Sequence, residues 1–213
     1  MFDVNKHYIH FMNLFTFHKM NVNFPKMTTP CFSLLVAHTP YMCVGHRKKE
    51  ELPWKNILFG MITPISLASR PDNPVIVITG VNTFREIPRG KENVHYIVLS
   101  SHENAKELYH LPEDITIAPS LHNALVTLID KTITKVFVIG GPMLIREATY
   151  HPNCSCIFAT MVLRSGDVTY PRFTIPRFDL KRFYIHDASF LQSADEHTKC
   201  RCVVYLPITN RAI

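Results

Sequence analysis

The sequence predicts an α/β fold, a mixed and mostly parallel β-sheet flanked by helices and finished by an antiparallel C-terminal edge. Three observations carry this. Short apolar runs bounded by turn residues recur from residue 32 onward, helical stretches fall between them as far as Tyr150, and beyond Tyr150 only strand-like runs continue. Strands that alternate with helices form a largely parallel sheet with right-handed crossovers. Strands that follow one another without helices pair antiparallel more readily.

The elements follow in order. Residues 1–30, MFDVNKHYIHFMNLFTFHKMNVNFPKMTTP, show no clean period of either kind. Pro25 and Pro30 interrupt any continuing element, so this stretch is expected to be an arm preceding a domain over 31–213. FSLLVAH (32–38) and PVIVITG (74–80) are buried-strand runs, and YIVLS (96–100) and KVFVIGG (135–141) follow. SLHNALVTLID (120–130) reads as a helix with Ser120 as N-cap, and PMLIREATY (142–150) as one with proline in its first turn. CIFATMV (156–162) and RCVVYLP (201–207) are the late strands, expected at an antiparallel edge.

Composition limits the function classes. The chain has 213 residues, 46% of them hydrophobic, enough for one full-sized core. No apolar run is long enough to span a bilayer, and the N-terminus lacks a compact apolar stretch ending in small residues. A cytoplasmic protein with no membrane partner, monomeric when free, is expected. Six cysteines in a chain of this length favour reduced thiols over a disulfide scaffold. Net charge is +6, and no acid occurs between Asp3 and Glu50, where Lys6, Lys19, Lys26, Arg47, Lys48 and Lys49 lie. Such a field favours polyanions, although a solubilising face would have the same composition.

Two strand-to-helix turns carry candidate chemistry. VIVITGVNTFREIP places Gly80 before Asn82 and Thr83 at a helix start, and VFVIGGPMLIREA repeats the device with Gly140 and Gly141. Glycine lets backbone approach a ligand closely, and open amides at a helix start hold phosphate. Two such turns on neighbouring parallel strands suit a dinucleotide crevice.

Together with LPW (52–54), these motifs make the chain resemble the dihydrofolate reductases. The likeness runs in order from Phe32 to about Leu206, through SLLVA, VG (44–45), LPW, VITGVNTFREIP, YIVLSS, VFVIGGPMLIREA and FATMV…GDVTYP (158–171). The resemblance implies a cofactor crevice at Ala37, Val44, Gly45, Gly80, Thr83, Ser100, Ser101, Gly140 and Gly141. It implies a substrate pocket at Trp54, Phe59 and Thr160, and NADPH as cofactor. In that family the helix after LPW brings one Asp or Glu to the pterin, about five or six residues beyond the tryptophan, and promotes its protonation before hydride transfer. Here that count reaches Phe59 or Gly60, and alignment from FGMIT puts Lys55 opposite the acid. No acid occurs between Glu51 and Asp72, so no catalytic residue is assigned.

Other family positions also differ. The arginine that holds the folate glutamyl group falls near Val94, the basic residue facing the NADP phosphates is Val81, and the tyrosine beside the nicotinamide is Ile145. Pro142 lacks an N–H that a pyrophosphate would use. These departures imply a pseudoenzyme with no cofactor, the scaffold kept for binding; an active NADPH-dependent dihydrofolate reductase with an unusual site is the alternative.

The arm points to the partner. Lys6, His7, Tyr8, His10, Phe11, Phe15, Phe17, His18, Lys19 and Lys26 interleave aromatics with cations, and Arg47, Lys48 and Lys49 extend the basic set. Aromatics stack on unpaired bases while cations meet phosphate, so structured RNA or a ribosome, occluded at a functional site, is the expected partner. HPNCSC (151–156) and HTKCRC (197–202) share an H-x-x-C-x-C spacing. Antiparallel neighbouring strands would place the two groups at opposite ends, so no metal site is expected, and alternating cysteines would pack on one face.

Overall fold

The computed structural model of the protein describes residues 29–46, 65, 68–69, 71, 74–87, 93–129, 135–164, 172–189, 192–193 and 198–208. Most of the arm (1–28), Arg47–Lys49, Trp54, Lys55, Phe59 and Gly60 therefore lie outside the described residues.

The first strand, β1 (Phe32–His38), matches its sequence run and is buried along nearly its whole length. β2 (Cys43–His46) follows after a turn in which Met42 takes a positive φ of 59°. β3 (Val75–Gly80) leads into α1 (Val81–Glu86), and β4 (Val94–Leu99) into α2 (Ala105–Tyr109). β5 (Thr116–Ala118) precedes α3 (Leu121–Val126), where the Ser120 hydroxyl accepts the Asn123 amide at 3.1 Å, the N-cap the sequence predicts. β6 (Lys135–Val138) and α4 (Pro142–Tyr150) complete the alternating part. β7 (Cys154–Arg164), β8 (Arg172–Thr174), β9 (Phe183–Ala188), β10 (Gln192–Ser193) and β11 (Thr198–Pro207) follow with no described helix between them.

Among the described residues, nine strands form one sheet in the order β10-β11-β7-β1-β6-β3-β4-β5, with β9 also paired to β11. β1, β3, β4, β5, β6 and β7 run parallel, and β11 is antiparallel to β7 and to β9. Of the two late strands expected at an antiparallel edge, β7 is therefore parallel to β1, and only β11 reverses. β2 and β8 form a separate antiparallel ladder.

Two apolar layers cover the sheet. Leu34, Val36, Ile78, Val138, Leu144 and Ile157 belong to one, and Leu35, Val77, Phe84, Val98 and Phe137 to the other, which also buries Ile65 and Ala68. Adjacent residues of one strand thus face opposite layers, which is why the parallel strands read as unbroken apolar runs.

The two cysteine pairs stand at opposite ends of antiparallel neighbours as expected, but Cys154 and Cys156 do not share a face. Phe32 is opposite Cys154 and Ser33 opposite Cys156, so Ser155 is an extra residue, a β-bulge, and its hydroxyl donates to the Phe32 carbonyl at 3.0 Å. The bulge reverses the alternation, so Cys154 and Cys156 join different apolar clusters. Cys200 lies opposite Val162, six residues along β7 from Cys156 and roughly 20 Å away at strand rise. Burial pushes the Cys154 thiol up to about 12, and burial followed by Cys202 pushes Cys200 up to about 11. These are neutral, inert thiols at ordinary pH.

The start of the domain is clamped. Asn153, buried between α4 and β7, directs its Nδ2 at the Thr29 Oγ1 (2.6 Å), the Thr29 carbonyl (2.9 Å) and the Pro30 carbonyl (3.2 Å). No described helix is long and apolar enough to cross a membrane.

Candidate functional site

The carboxyl ends of β1, β6, β3 and β4 lie along one end of the sheet because these strands are parallel neighbours. Chain order doubles back there, since β6 inserts between β1 and β3. Ligands of open α/β sheets bind at such a position.

The two glycine turns meet at this end. The Gly80 amide donates to the Gly140 carbonyl at 2.9 Å, and the Ile139 amide donates to the Ile78 carbonyl at 3.1 Å. These bonds carry the β3–β6 pairing past the last paired residues. The Thr79 hydroxyl, fully buried, lies 3.4 Å from the same Gly140 carbonyl. Gly140 has φ +96°, a conformation L side chains rarely adopt, and the Gly140–Gly141 peptide is cis. A Cβ on Gly80 would stand 3.5 Å from the Gly141 amide nitrogen. A Cβ on either Gly140 or Gly141 would stand 3.5 Å from the Thr83 Oγ1. Gly80, Thr83, Gly140 and Gly141 thus form one cradle, drawn from two segments that the sequence treats separately.

What the cradle offers a ligand is mostly backbone. Gly141 caps α4 and Pro142 is its first residue. The opening amides of a helix have no intrahelical acceptor, but proline supplies none. Val81 packs against the apolar layer beneath. Ile145 is buried, and its Cδ1 lies 3.6 Å from where a Gly140 Cβ would be, so it supports the cradle from below.

The remaining expected positions are placed as follows. Ala37 and Thr160 are buried and directly opposite in register on β1 and β7. The Thr160 Oγ1 lies 3.9 Å from the Cys202 Sγ across the β7–β11 pair, a neighbour that the strand spacing alone did not reveal. Val44 is half-buried against the core, and Gly45 is buried with Phe173 Cδ2 3.6 Å from its Cβ position. The Ser100 Oγ accepts the His102 amide at 3.2 Å, stabilising its own turn, while Ser101 is exposed. Val94 opens β4 opposite Val75, two residues before the YIVLS run that marks this strand in the sequence. The substrate-side positions after Trp54 and the RNA-directed arm residues are outside the described part, and no metal-ligating group of His, Cys, Asp and Glu occurs among the described residues.

One buried ionisable group next to the site was not singled out by sequence. His38 ends β1 beside Ala37, with Nδ1 2.7 Å from the Thr39 carbonyl and its ring edge-on to Phe178 at 5.6 Å. Burial holds its pKa below the ordinary value, with the Thr39 bond opposing. A histidine at the end of an apolar run gives no sign of burial by itself.

The chain is similar to known proteins over the same span. Residues 32–205 match the family model described as dihydrofolate reductase. A dihydrofolate reductase of Heliothis virescens is 29% identical over 163 residues, covering 73% of this chain and 84% of that protein. The structure of Schistosoma mansoni dihydrofolate reductase superposes with a TM-score of 0.65 at 22% identity, covering 85% of this chain and all of that one. The glycine cradle, the strand order and the family match over most of the chain agree: it belongs to the dihydrofolate reductase family.

Proposed function

We propose that this protein is a dihydrofolate-reductase-family pseudoenzyme that binds RNA or a ribonucleoprotein. The observation that carries the loss of chemistry is the absence of any Asp or Glu between Glu51 and Asp72, the stretch where the family places its pterin-directed carboxylate. Hydride transfer to a pterin requires protonation, and removing a positioned general acid lowers the rate by roughly 10²–10⁴-fold. The absence of an arginine near Val94 removes a charge-assisted partner for the folate tail, which supplies about 1.5–3 kcal/mol where present. The RNA partner follows from the acid-free, aromatic and basic N-terminal arm.

The assembled cradle favours a second reading, an active NADPH-dependent dihydrofolate reductase whose proton arrives by another route. Gly80, Thr83, Gly140 and Gly141 close into one backbone-lined surface, and this surface supports NADPH binding. Steady-state oxidation of NADPH with dihydrofolate separates the two. The pseudoenzyme gives no turnover above the uncatalysed background. Robust turnover that a folate antagonist stops establishes the reductase instead.

A further inference from the structure

We infer that the crevice discriminates against a 2′-phosphate, so that the dinucleotide it takes is NADH rather than NADPH. This rests on the dinucleotide crevice of the second reading and changes its cofactor. The position that makes the choice follows from topology. β3, α1 and β4 form one βαβ unit, with Gly80 in the turn that ends β3 and opposite Leu99 at the end of β4. A dinucleotide whose pyrophosphate meets the first turn of such a unit lays its adenosine ribose across the end of the second strand, about 20 residues on. An acid there accepts the ribose 2′-hydroxyl, whereas an arginine there pairs with a 2′-phosphate. Ser100, Ser101, His102 and Glu103 occupy that place. β5 ends beside them, because the Ser100 amide donates to the Ala118 carbonyl at 3.0 Å, which adds Pro119 and Ser120.

These residues do not fit a 2′-phosphate. The Ser100 hydroxyl accepts the His102 amide at 3.2 Å, and the Ser120 hydroxyl donates to the Asn123 Oδ1 at 2.6 Å while accepting the Asn123 amide. Both hydroxyls are thus committed to their own turns. The cations of the flanking helices are engaged elsewhere. The Arg85 guanidinium donates to the Tyr109 carbonyl and lies 5.6 Å over the Tyr109 ring, and the Lys106 Nζ donates to the Glu113 carbonyl. The His102 ring stands edge-on to Tyr109 at 5.9 Å. From Ser100 to Ser120 the chain carries one lysine against four acids, Glu103, Glu107, Glu113 and Asp114, and these acids line a single hollow. A 2′-phosphate brings a charge of about −1.5 to −2 into that negative field. The exposed groups suit a hydroxyl instead: Ser101 can donate or accept, and the Glu103 carboxylate can accept. The backbone cradle at Gly80, Gly140 and Gly141 offers no selection, since it meets only what both dinucleotides share.

Calorimetric titration of the full chain with NADH and with NADPH, at about pH 8 where an ordinary histidine is neutral, tests this. NADH binds at least about 10-fold more tightly than NADPH. Adenosine 5′-phosphate displaces NADH, and adenosine 2′,5′-bisphosphate displaces it less well. Ser101→Arg, at an exposed position, leaves the melting temperature unchanged and tightens NADPH by roughly 10-fold, a gain that fades as salt rises. Glu103→Gln narrows the preference for NADH. NADPH binding as tight as NADH, or tighter, overturns the inference and leaves the crevice standing. A folded Ser101→Arg variant with no gain for NADPH overturns the assignment of the 2′ position to the end of β4. Binding of neither dinucleotide removes the crevice itself, and the inference falls with it.

Discussion

The glycine cradle and the β2–β8 ladder present opposite kinds of surface. The cradle carries no charge among Gly80, Thr83, Gly140 and Gly141, and its one demand for glycine is the φ of +96° at Gly140. The β2–β8 ladder instead pairs side-chain-bearing residues, His46 with Arg172 and Gly45 with the exposed Phe173. The cradle is sensitive to backbone conformation at Gly140 and indifferent to salt in its own construction. Recognition by backbone and recognition by side chain are therefore set by different residues in one molecule.

The largest stability effect expected within this comparison is at Gly140. Gly140→Ala places its Cβ at ordinary contact distances from Thr83 and Ile145, so space is not the obstacle. The φ of +96° lies where L side chains rarely settle, and holding alanine there costs about 1–3 kcal/mol. Thermal unfolding of the variant should fall by several degrees. Gly80→Ala, with φ −82° and a nearest contact of 3.5 Å, should change stability by less than about 0.5 kcal/mol. Equal losses at the two glycines would mean that crowding rather than backbone conformation governs the cradle.

Asn153→Ala comes next. It leaves the Thr29 and Pro30 carbonyls without the buried amide that holds them, an expected loss of about 1–3 kcal/mol in denaturant unfolding. Oligouridine affinity should not change, because this clamp is structural. A loss of affinity without loss of stability would show instead that the clamp orients the arm.

A smaller effect is set by pH. His38 and His151 both have folded pKa values lowered from 6.5, chiefly by burial; at His151 the neighbouring His122 and Arg182 add to it. The unfolded chain takes up protons below that pH while the folded chain resists them. The contribution of these two rings to stability is therefore constant above about 6.5 and declines as pH falls below it. A unfolding midpoint that rises on acidification through this window would contradict the burial of these rings. The buried Cys154 thiol gives the complementary check: it should resist alkylation near neutral pH until the chain is unfolded.

The sequence made the cradle legible because its requirements are local. A glycine after an apolar run and a threonine in the following turn identify themselves, and β1 and α4 took the bounds their patterns suggest. The ladder was not legible, because Arg172 and His46 become neighbours only through pairing register, which no local pattern encodes. β8 and β5 are only three residues long and carry too little periodicity to read. The bulge at Ser155 was equally hidden, since one extra residue leaves composition unchanged while turning Cys154 and Cys156 to different sides. The missing carboxylate was read by counting from Trp54, and that count needs the family's pattern as well as the residues.

The central claim is that a reductase scaffold without its acid serves RNA binding. Its most direct test is sedimentation of the full-length protein in an extract of its own cells, with and without ribonuclease. The protein should travel with RNA and return to monomer size when the RNA is digested. Sedimentation as a free monomer that nuclease does not alter would contradict it.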